Sequence, residues 1–414
     1  MRTLLINTPY PFSEMPQIPM GLAYIAAVLE KAGVEVQVQD FLVQDYSKEK
    51  LAQKIHNFAP ELIGITSVTM NFPIASQILK DCKEIADNAI TVIGGPHASF
   101  TVEETLRDSP WIDLVVIGEG ENTMLALALG KERPEEIDGL AYRRNGAIKR
   151  TTPRKWIEAL DELPIPARHL FPISQYFPTN PKSGMITGRG CPFNCIFCVG
   201  HRMVGKKKRF RSPKLVVDEM EHVLSLGFKG INVVDDLFTI NKKHVYTICD
   251  EIKSRHLKFN WTCFARVDTV NRELLSLISD AGCNCICYGV ETADQDMMNI
   301  LKKKITPREV QEAIDLTKKA GIEAMASFIL GLPGETEETL LKTIKFAKDL
   351  GATCALHALA PFPGTELYEN ADKLGIKILT DDWSRFNANE AITETEGVPA
   401  AMVNKVLLGY SRGY

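Results

Sequence analysis

Two α/β units in series, the first a doubly wound open sheet and the second an open partial barrel, are predicted by three features of this 414-residue chain. Short, uniformly apolar segments alternate with amphipathic helical ones through residues 1–150 and again through residues 183–375, a pattern that means parallel strands covered on both faces. Between them, residues 151–182 are proline-rich and include Leu163-Pro164-Ile165-Pro166-Ala167-Arg168, the composition of a semi-rigid linker. The second stretch opens on a CxxxCxxC triplet and continues through about six strand–helix units, too few to close the usual eight-stranded barrel. The length agrees, since it exceeds what one hydrophobic core serves. Residues 376–414 are left as a short helical tail.

In the first stretch the expected strands are Thr3–Asn7, Val34–Gln39, Leu62–Ser67, Ile90–Gly94 and Leu114–Gly118. Helices are expected at Met20–Lys31, Lys48–Phe58 and near Ile74–Ala86, and residues 139–150 close the unit as a hairpin around Asn145-Gly146. Ligands of such sheets bind beyond the carboxyl ends of the strands. The loops there read Asn7-Thr8-Pro9, Ser67-Val68-Thr69, Gly94-Gly95-Pro96-His97 and Gly118-Glu119-Gly120-Glu121. Glycines and small hydroxyls let backbone approach a large flat ligand, so these loops together predict a cleft. The plainer reading of any one of them is a glycine that ends a strand. No GxGxxG opens the first helix, which argues against a nicotinamide cofactor.

The triplet lies in Gly188-Arg189-Gly190-Cys191-Pro192-Phe193-Asn194-Cys195-Ile196-Phe197-Cys198, where Gly188, Gly190 and Pro192 favour a loop over a helix. Chance would place such a triplet about 0.006 times in a chain of this length and cysteine content. Three thiolates fit three irons of a cubane [4Fe–4S] cluster and leave the fourth iron open to a ligand. Zinc would ordinarily close with a fourth protein ligand, for which His201 is the nearby candidate, and buried free thiols are the other alternative. The strand ends that follow read Asp235-Asp236, Arg266-Val267-Asp268, Gly289-Val290-Glu291-Thr292, Gly331-Leu332-Pro333-Gly334-Glu335-Thr336 and Pro361–Glu366. Acidic groups at one mouth accept hydrogen bonds from an ammonium and from ribose hydroxyls, and glycine turns admit adenine against backbone. Against this stand a helix cap at Asp235-Asp236, a structural ion pair at Glu291 and a simple turn at Gly331–Gly334.

With Phe197 just before its last cysteine, the motif resembles that of the radical S-adenosylmethionine (SAM) enzymes, and the doubly wound domain before it resembles their cobalamin-binding subgroup. The resemblance implies a Rossmann-like cobalamin-binding domain followed by a partial (β/α)6 barrel. It implies that Cys191, Cys195 and Cys198 hold a [4Fe–4S] cluster whose open iron chelates the amino and carboxylate groups of SAM, and that Phe197 packs near the adenine. Asp235 or Asp236 stands where a GGE motif meets the SAM ammonium, Glu291 lies near the ribose, and Ile329–Gly334, with Gly331 and Pro333, forms the adenine turn; Arg266 is counted with these SAM-binding residues. Cobalamin is assigned to Asn7, Thr8, Pro9, Ser67, Thr69, Gly94, Gly95, His97, Gly118, Glu119 and Gly120. No DxHxxG follows the first strand, and the segment from Asn7 to Met20 contains no histidine, so the cobalamin is expected to lack a histidine lower ligand. The implied activity is a 5′-deoxyadenosyl radical that removes hydrogen from an unactivated carbon, followed by methyl transfer, with cyclisation or ring rearrangement as the alternative.

A non-catalytic iron–sulfur redox protein would also need clustered cysteines, but not the acidic and glycine-rich strand ends. The basic run Lys206-Lys207-Lys208-Arg209-Phe210-Arg211 reads as a solvated surface, or as a place for an anionic substrate or a flavodoxin- or ferredoxin-like electron donor. Cys283, Cys285 and Cys287 alternate along one strand and are expected on one face as small apolar packing. With 48 basic and 52 acidic residues, nothing draws the chain as a whole to nucleic acid. No apolar run reaches the ~18 to 20 residues of a membrane span, and the ten cysteines suit a reducing, cytoplasmic setting.

Overall fold

The computed structural model describes residues 1–11 and 15–411; the last residues of the expected tail, 412–414, lie outside them. Packing divides the chain into two compact units, Met1–Gly184 with Arg202–Val204, and Met185–His201 with Gly205 onward.

The first unit is built on seven strands, β1 (Thr3–Asn7), β2 (Val36–Asp40), β3 (Leu62–Thr66), β4 (Ile90–Gly94), β5 (Leu114–Val116), β6 (Leu140–Arg144) and β7 (Ala147–Arg150). They lie in the order β2-β1-β3-β4-β5-β6-β7, parallel from β2 to β5 and antiparallel from β5 to β7. This is a doubly wound sheet whose strand order reverses between β1 and β3, the place where such folds bind ligands. Leu4, Ile6, Ile63, Ile65 and Ile93 face the helices Lys48–Phe58 and Phe72–Ile85 through Leu51, Ile55, Ile78 and Leu79. Helices Met20–Lys31 and Glu121–Leu129 pack together on the opposite face, where Leu5 and Met124 meet beside Gly64. Two short helices the alternation did not suggest, Pro96–Phe100 and Val102–Asp108, fill the connection after β4.

Residues 151–182 do not stand apart as a free linker. The Ala167 N–H donates to the Ala23 carbonyl at 3.0 Å, the Tyr176 hydroxyl donates to Asp40, and Asn180 Nδ2 donates to the Pro16 carbonyl at 3.1 Å. Prolines remove donors, yet these side chains restore enough polar contacts to dock the segment on the first unit.

The second unit carries a six-stranded sheet ordered β15-β14-β13-β12-β11-β8, formed by β8 (Lys182–Met185), β11 (Gly230–Val233), β12 (Asn260–Ala265), β13 (Cys283–Glu291), β14 (Glu323–Leu330) and β15 (Thr353–Ala358). The pairs from β11 to β15 are all parallel. Strands β9 (Gly188–Arg189) and β10 (Arg209–Phe210) form a separate antiparallel hairpin. The intervening helices start on side-chain caps, such as Asn241 accepting from the His244 N–H and Thr306 with Glu309 in a capping box. The tail is not wholly helical: β16 (Lys377–Ile378) and β17 (Thr393–Glu394) make a two-stranded ribbon before the helix Ala400–Ser411. Val398, Val403 and Leu407 seal this tail against Leu330, Leu340 and Ala358.

Two one-residue irregularities shape the sheet. Trp261 pairs with Cys283 but Thr262 with Cys285, and Gly289 pairs with Ser327 but Glu291 with Phe328. A bulge reverses the face on which the following residues lie. The expectation that Cys283, Cys285 and Cys287 share one face is therefore corrected. Cys283 lies with Trp261 and Cys263 on the helix-covered side, whereas Cys285 and Cys287 lie with Thr262 and Phe264 on the concave side.

Candidate active site

The cysteine loop is stapled to its own unit at several points. The Cys191 N–H donates to the Gly205 carbonyl at 3.1 Å, the Ile196 N–H to the Leu301 carbonyl at 3.3 Å, and the Leu367 N–H to the Ile196 carbonyl at 2.9 Å. Gly190 has φ +101°, and any Cβ there would strike the Lys207 carbonyl oxygen, so only glycine permits the hairpin to close this tightly. Ile196 is buried with Leu301, Leu332, Leu359 and Leu367, and Phe197 and Ile329 pack on the same cluster, which fixes the loop above the carboxyl ends of the strands.

The three thiols lie close enough to feel one another. Burial pushes the Cys198 thiol up to about 11, opposed by the Gly200 N–H and reinforced by Cys195, Asp236 and Cys191. Cys191 and Cys195 are raised too, chiefly by burial. Clustered thiolates in such surroundings need a cation to offset their charge. In a cubane each thiolate takes a different iron. The donor set fits an iron–sulfur cluster with one open iron.

Around this loop the expected SAM residues fall into two groups. Asp235 is 3% exposed and already saturated: the Thr187 N–H and hydroxyl donate to it at 2.7 and 2.8 Å, and Lys208 pairs with it at 3.1 Å. Through these contacts it holds the start of the cysteine loop. Asp236 is exposed, and its carboxylate stands beside Gly200, where a Cβ would lie 3.0 Å from Asp236 Oδ1 and 3.4 Å from Cys198 Sγ. Burial on its protein side pushes this carboxyl up, with Lys208 opposing. Of the two aspartates it is the one that stands beside Cys198.

Glu291 and Arg266 are both engaged. Lys303 Nζ donates to Glu291 Oε1 at 2.6 Å, both side chains being less than a tenth exposed. Glu291 has φ +72°, a left-handed conformation that a non-glycine residue holds only when its surroundings impose it. The Arg266 guanidinium forms a two-pronged pair with Asp268 at 3.0 Å, donates to the Lys303 carbonyl at 2.7 Å and lies 3.7 Å over the Phe193 ring. Arg266 thus clamps the cysteine loop from below, and Lys303 Nζ lies 5.7 Å over Phe197.

In the turn Gly331–Gly334, the N–H groups of Gly331 and Leu332 both donate to Glu335 Oε2, at 2.6 and 3.1 Å. These donors are therefore spent on the turn itself, and the Leu332 carbonyl accepts from the Glu335 N–H at 3.0 Å. Glu335 is 1% exposed, its Oε1 has no partner among the described residues, and burial pushes its carboxyl up to about 7. An acid raised in the folded state binds its proton more tightly there than in the unfolded chain. Stability from this group is accordingly greatest below about pH 4.5 and is lost as pH rises to about 7, by as much as about 3 kcal/mol. Glu335→Gln, which resembles the protonated acid, removes that slope: urea unfolding at pH 5 and pH 8 should differ less in the variant than in the parent.

The basic run after the loop is only partly a solvated surface. Lys206 and Lys207 are exposed, but Arg209 and Arg211 are buried and Arg211 is paired with buried Glu219. Lys303 and Thr187 escaped sequence reasoning because their partners, Glu291 and Asp235, lie on other elements.

In the first unit, the expected cobalamin residues mostly build the sheet edge. Asn7 donates to Asp40 at 2.8 Å, Thr8 accepts from Asn71 at 2.6 Å, and Thr69 is buried in a short helical turn. His97 is 1% exposed, stacked on Phe72 at 4.2 Å and pushed down to about 3 by burial. A Cβ on Gly95 would strike the Ser67 carbonyl oxygen, and one on Gly120 would press on Ile25, so both glycines serve internal packing. Glu119 accepts from the Ile157 N–H at 2.8 Å. Pro9 and Gly94 are half-buried at the same strand ends. Two features point outward. The buried Ser67 hydroxyl has no partner among the described residues, and Gly118 borders a pocket of about 250 Å3 with Ile117, Ser99, Phe100 and Trp156. An orphaned hydroxyl at the switch point and an apolar pocket beside it fit part of a large cofactor.

A thiolate loop over a partial barrel, preceded by a doubly wound ligand-binding sheet, defines a two-cofactor redox enzyme. The chain matches the family models "B12 binding domain" over residues 13–128 and "Radical SAM superfamily" over residues 185–347. It is 37% identical over 395 residues to an uncharacterized methyltransferase of Pyrococcus horikoshii, covering 94% of this chain and 86% of that one. It is 31% identical to an anaerobic magnesium-protoporphyrin IX monomethyl ester cyclase of Rubrivivax gelatinosus, covering 95% and 73%. Among solved structures, the radical SAM methyltransferase TsrM of Kitasatospora setae, with cobalamin and a [4Fe-4S] cluster bound, superposes with a TM-score of 0.80 over 97% of this chain and 80% of that one, at 21% identity; that likeness is one of fold. The chain belongs to the radical SAM superfamily, in the subgroup with an N-terminal B12 binding domain, whose cofactors are a [4Fe–4S] cluster, SAM and cobalamin.

Proposed function

We propose that the protein transfers a methyl group from SAM to an unactivated carbon of a small molecule. The observation that carries this reading is the stapled three-cysteine loop with Asp236 beside Cys198. When bound, the cluster and SAM supply a hydrogen-abstracting radical and cobalamin supplies a methyl carrier. Cys191, Cys195 and Cys198 hold the cluster. Asp236 accepts from the SAM ammonium, Glu291 from the ribose, and Phe197 with the carbonyls of the Gly331–Gly334 turn borders the adenine. In the first unit, Ser67 and Gly118 meet the cobalamin, and no histidine ligates it from below. Electrons come from a flavodoxin- or ferredoxin-like protein in the cytoplasm. No described helix is long and apolar enough to cross a membrane, and all ten cysteines are thiols.

The kinship to the named cyclase supports a second reading, radical ring closure. Deuterated-methyl SAM separates the two: methyl transfer releases S-adenosylhomocysteine alongside 5′-deoxyadenosine, whereas ring closure releases 5′-deoxyadenosine and methionine alone. Reduced, cobalamin-loaded protein that never forms S-adenosylhomocysteine overturns the methyl reading. The aspartates differ as well. Asp236→Ala should weaken SAM binding about 10- to 100-fold in equilibrium dialysis, the loss of one charge-assisted hydrogen bond. Asp235→Ala strands Lys208 in a buried site and should instead lower folding stability by about 3 kcal/mol.

A further inference from the structure

In the second unit the two faces of the sheet β11–β15 differ. The side chains turned toward the helices are sealed: Ile231, Cys263, Ile286, Ala326, Phe328 and Leu330 are all within 1% of full burial. Those in register on the other face, among them Asn232, Thr262, Cys287, Met325, Ser327 and His357, are half-buried, and Phe264 is 49% exposed. Parallel sheets normally bury both faces. An accessible concave face with a large exposed aromatic ring is the mark of a binding surface rather than of a core.

The chemistry of that face is selective. From β11 to β15, its positions between Asn232 and His357 carry no lysine, arginine or aspartate, and its glutamate, Glu323, sits at the amino end and accepts from Thr353. The cations at the mouth are committed, Arg266 to Asp268 and Lys303 to Glu291. Nothing inside can neutralise a phosphate or carboxylate, and an unpaired anion there would be strongly disfavoured. Phe264, Cys287, Met325 and Ala355 instead offer an apolar, polarisable wall, with Cys287 Sγ 3.8 Å from Met325 Sδ. Ser327 and His357 supply neutral hydrogen-bonding groups at the end nearest the cysteine loop, where their neighbour Ile329 packs against the loop's cluster.

We propose that this concave face takes an uncharged, largely apolar molecule, walled by Phe264, Cys287 and Met325 and oriented by Ser327 and His357. The ligand class follows from the face itself and does not rest on the methyl-transfer reading above.

The test uses the full chain with its cluster reconstituted. Nile red, a neutral apolar fluorophore, should bind one saturable site with blue-shifted emission. The anionic probe 8-anilinonaphthalene-1-sulfonate should bind that site at least about tenfold more weakly. Phe264→Asp should weaken Nile red binding at least about tenfold while cluster absorbance is retained. A measurement on the parent chain removes dependence on the variant's folding: neutral methyl methanethiosulfonate should modify Cys287 at least about tenfold faster than a sulfonated methanethiosulfonate, with Nile red protecting. Absence of Nile red binding, equal or stronger binding of the anionic probe, unchanged Nile red affinity in a cluster-containing Phe264→Asp, or equal rates for the two thiol reagents without protection would overturn the proposal. Formation of 5′-deoxyadenosine in the same samples reports the enzyme reading separately.

Discussion

Cys195→Ala empties the loop of iron and lowers 5′-deoxyadenosine formation by about a thousandfold or more, equivalent to at least ~4 kcal/mol of barrier. The cause is geometric. Cys195 is the most buried of the three thiols, and the adjoining Ile196 anchors the loop through hydrogen bonds to Leu301 and Leu367. Removing its sulfur leaves two thiolates for a cluster that needs three. Iron and sulfide analysis together with the visible absorption of the cluster measure the loss. Cys285→Ala is the matching control, since that thiol lies on β13 away from the loop, and its iron content should equal that of the parent.

Lys303→Ala destabilises the second unit by about 3–5 kcal/mol, read as a lowered midpoint in urea unfolding. Its partner Glu291 is buried, left-handed and displaced by the bulge after Gly289, so the carboxylate cannot swing to water when its cation is removed. The double variant Lys303→Met, Glu291→Gln should recover part of the loss, because it leaves no buried charge unpaired. Equal stability of the single and double variants would mean that the pair is not a coupled unit. If Glu291 also meets the ribose, the single variant loses SAM affinity as well.

Much of the fold was legible because each strand announces itself locally: Thr3-Leu4-Leu5-Ile6-Asn7 has an apolar centre, Leu4-Leu5-Ile6, and becomes β1 as read. Helix starts were equally plain where a cap precedes a periodic segment, as at Thr306-Pro307. The docking of the proline-rich segment was not legible, because it depends on Tyr176 reaching Asp40, a contact 136 residues away in sequence. The faces of Cys283 to Cys287 were misread because a single inserted residue inverts the alternation, and no local signal marks a bulge.

The site was legible in part for the same reason. A cysteine triplet is a local pattern, so the loop stood out at once. Asp235 and Asp236 are neighbours with identical side chains, and only the placement of Thr187 and Lys208 tells which one is already satisfied. Likewise the stacking of His97 on Phe72 depends on the short helix Pro96–Phe100, which no local pattern marks.

The central claim is that the three thiols hold a cluster whose open iron binds SAM. It is tested most directly by reducing the anaerobically reconstituted protein with dithionite in the presence of SAM and quantifying 5′-deoxyadenosine. The account predicts 5′-deoxyadenosine from the parent chain and none from Cys195→Ala. A parent protein with an intact, fully reduced cluster and bound SAM that forms no 5′-deoxyadenosine would contradict it.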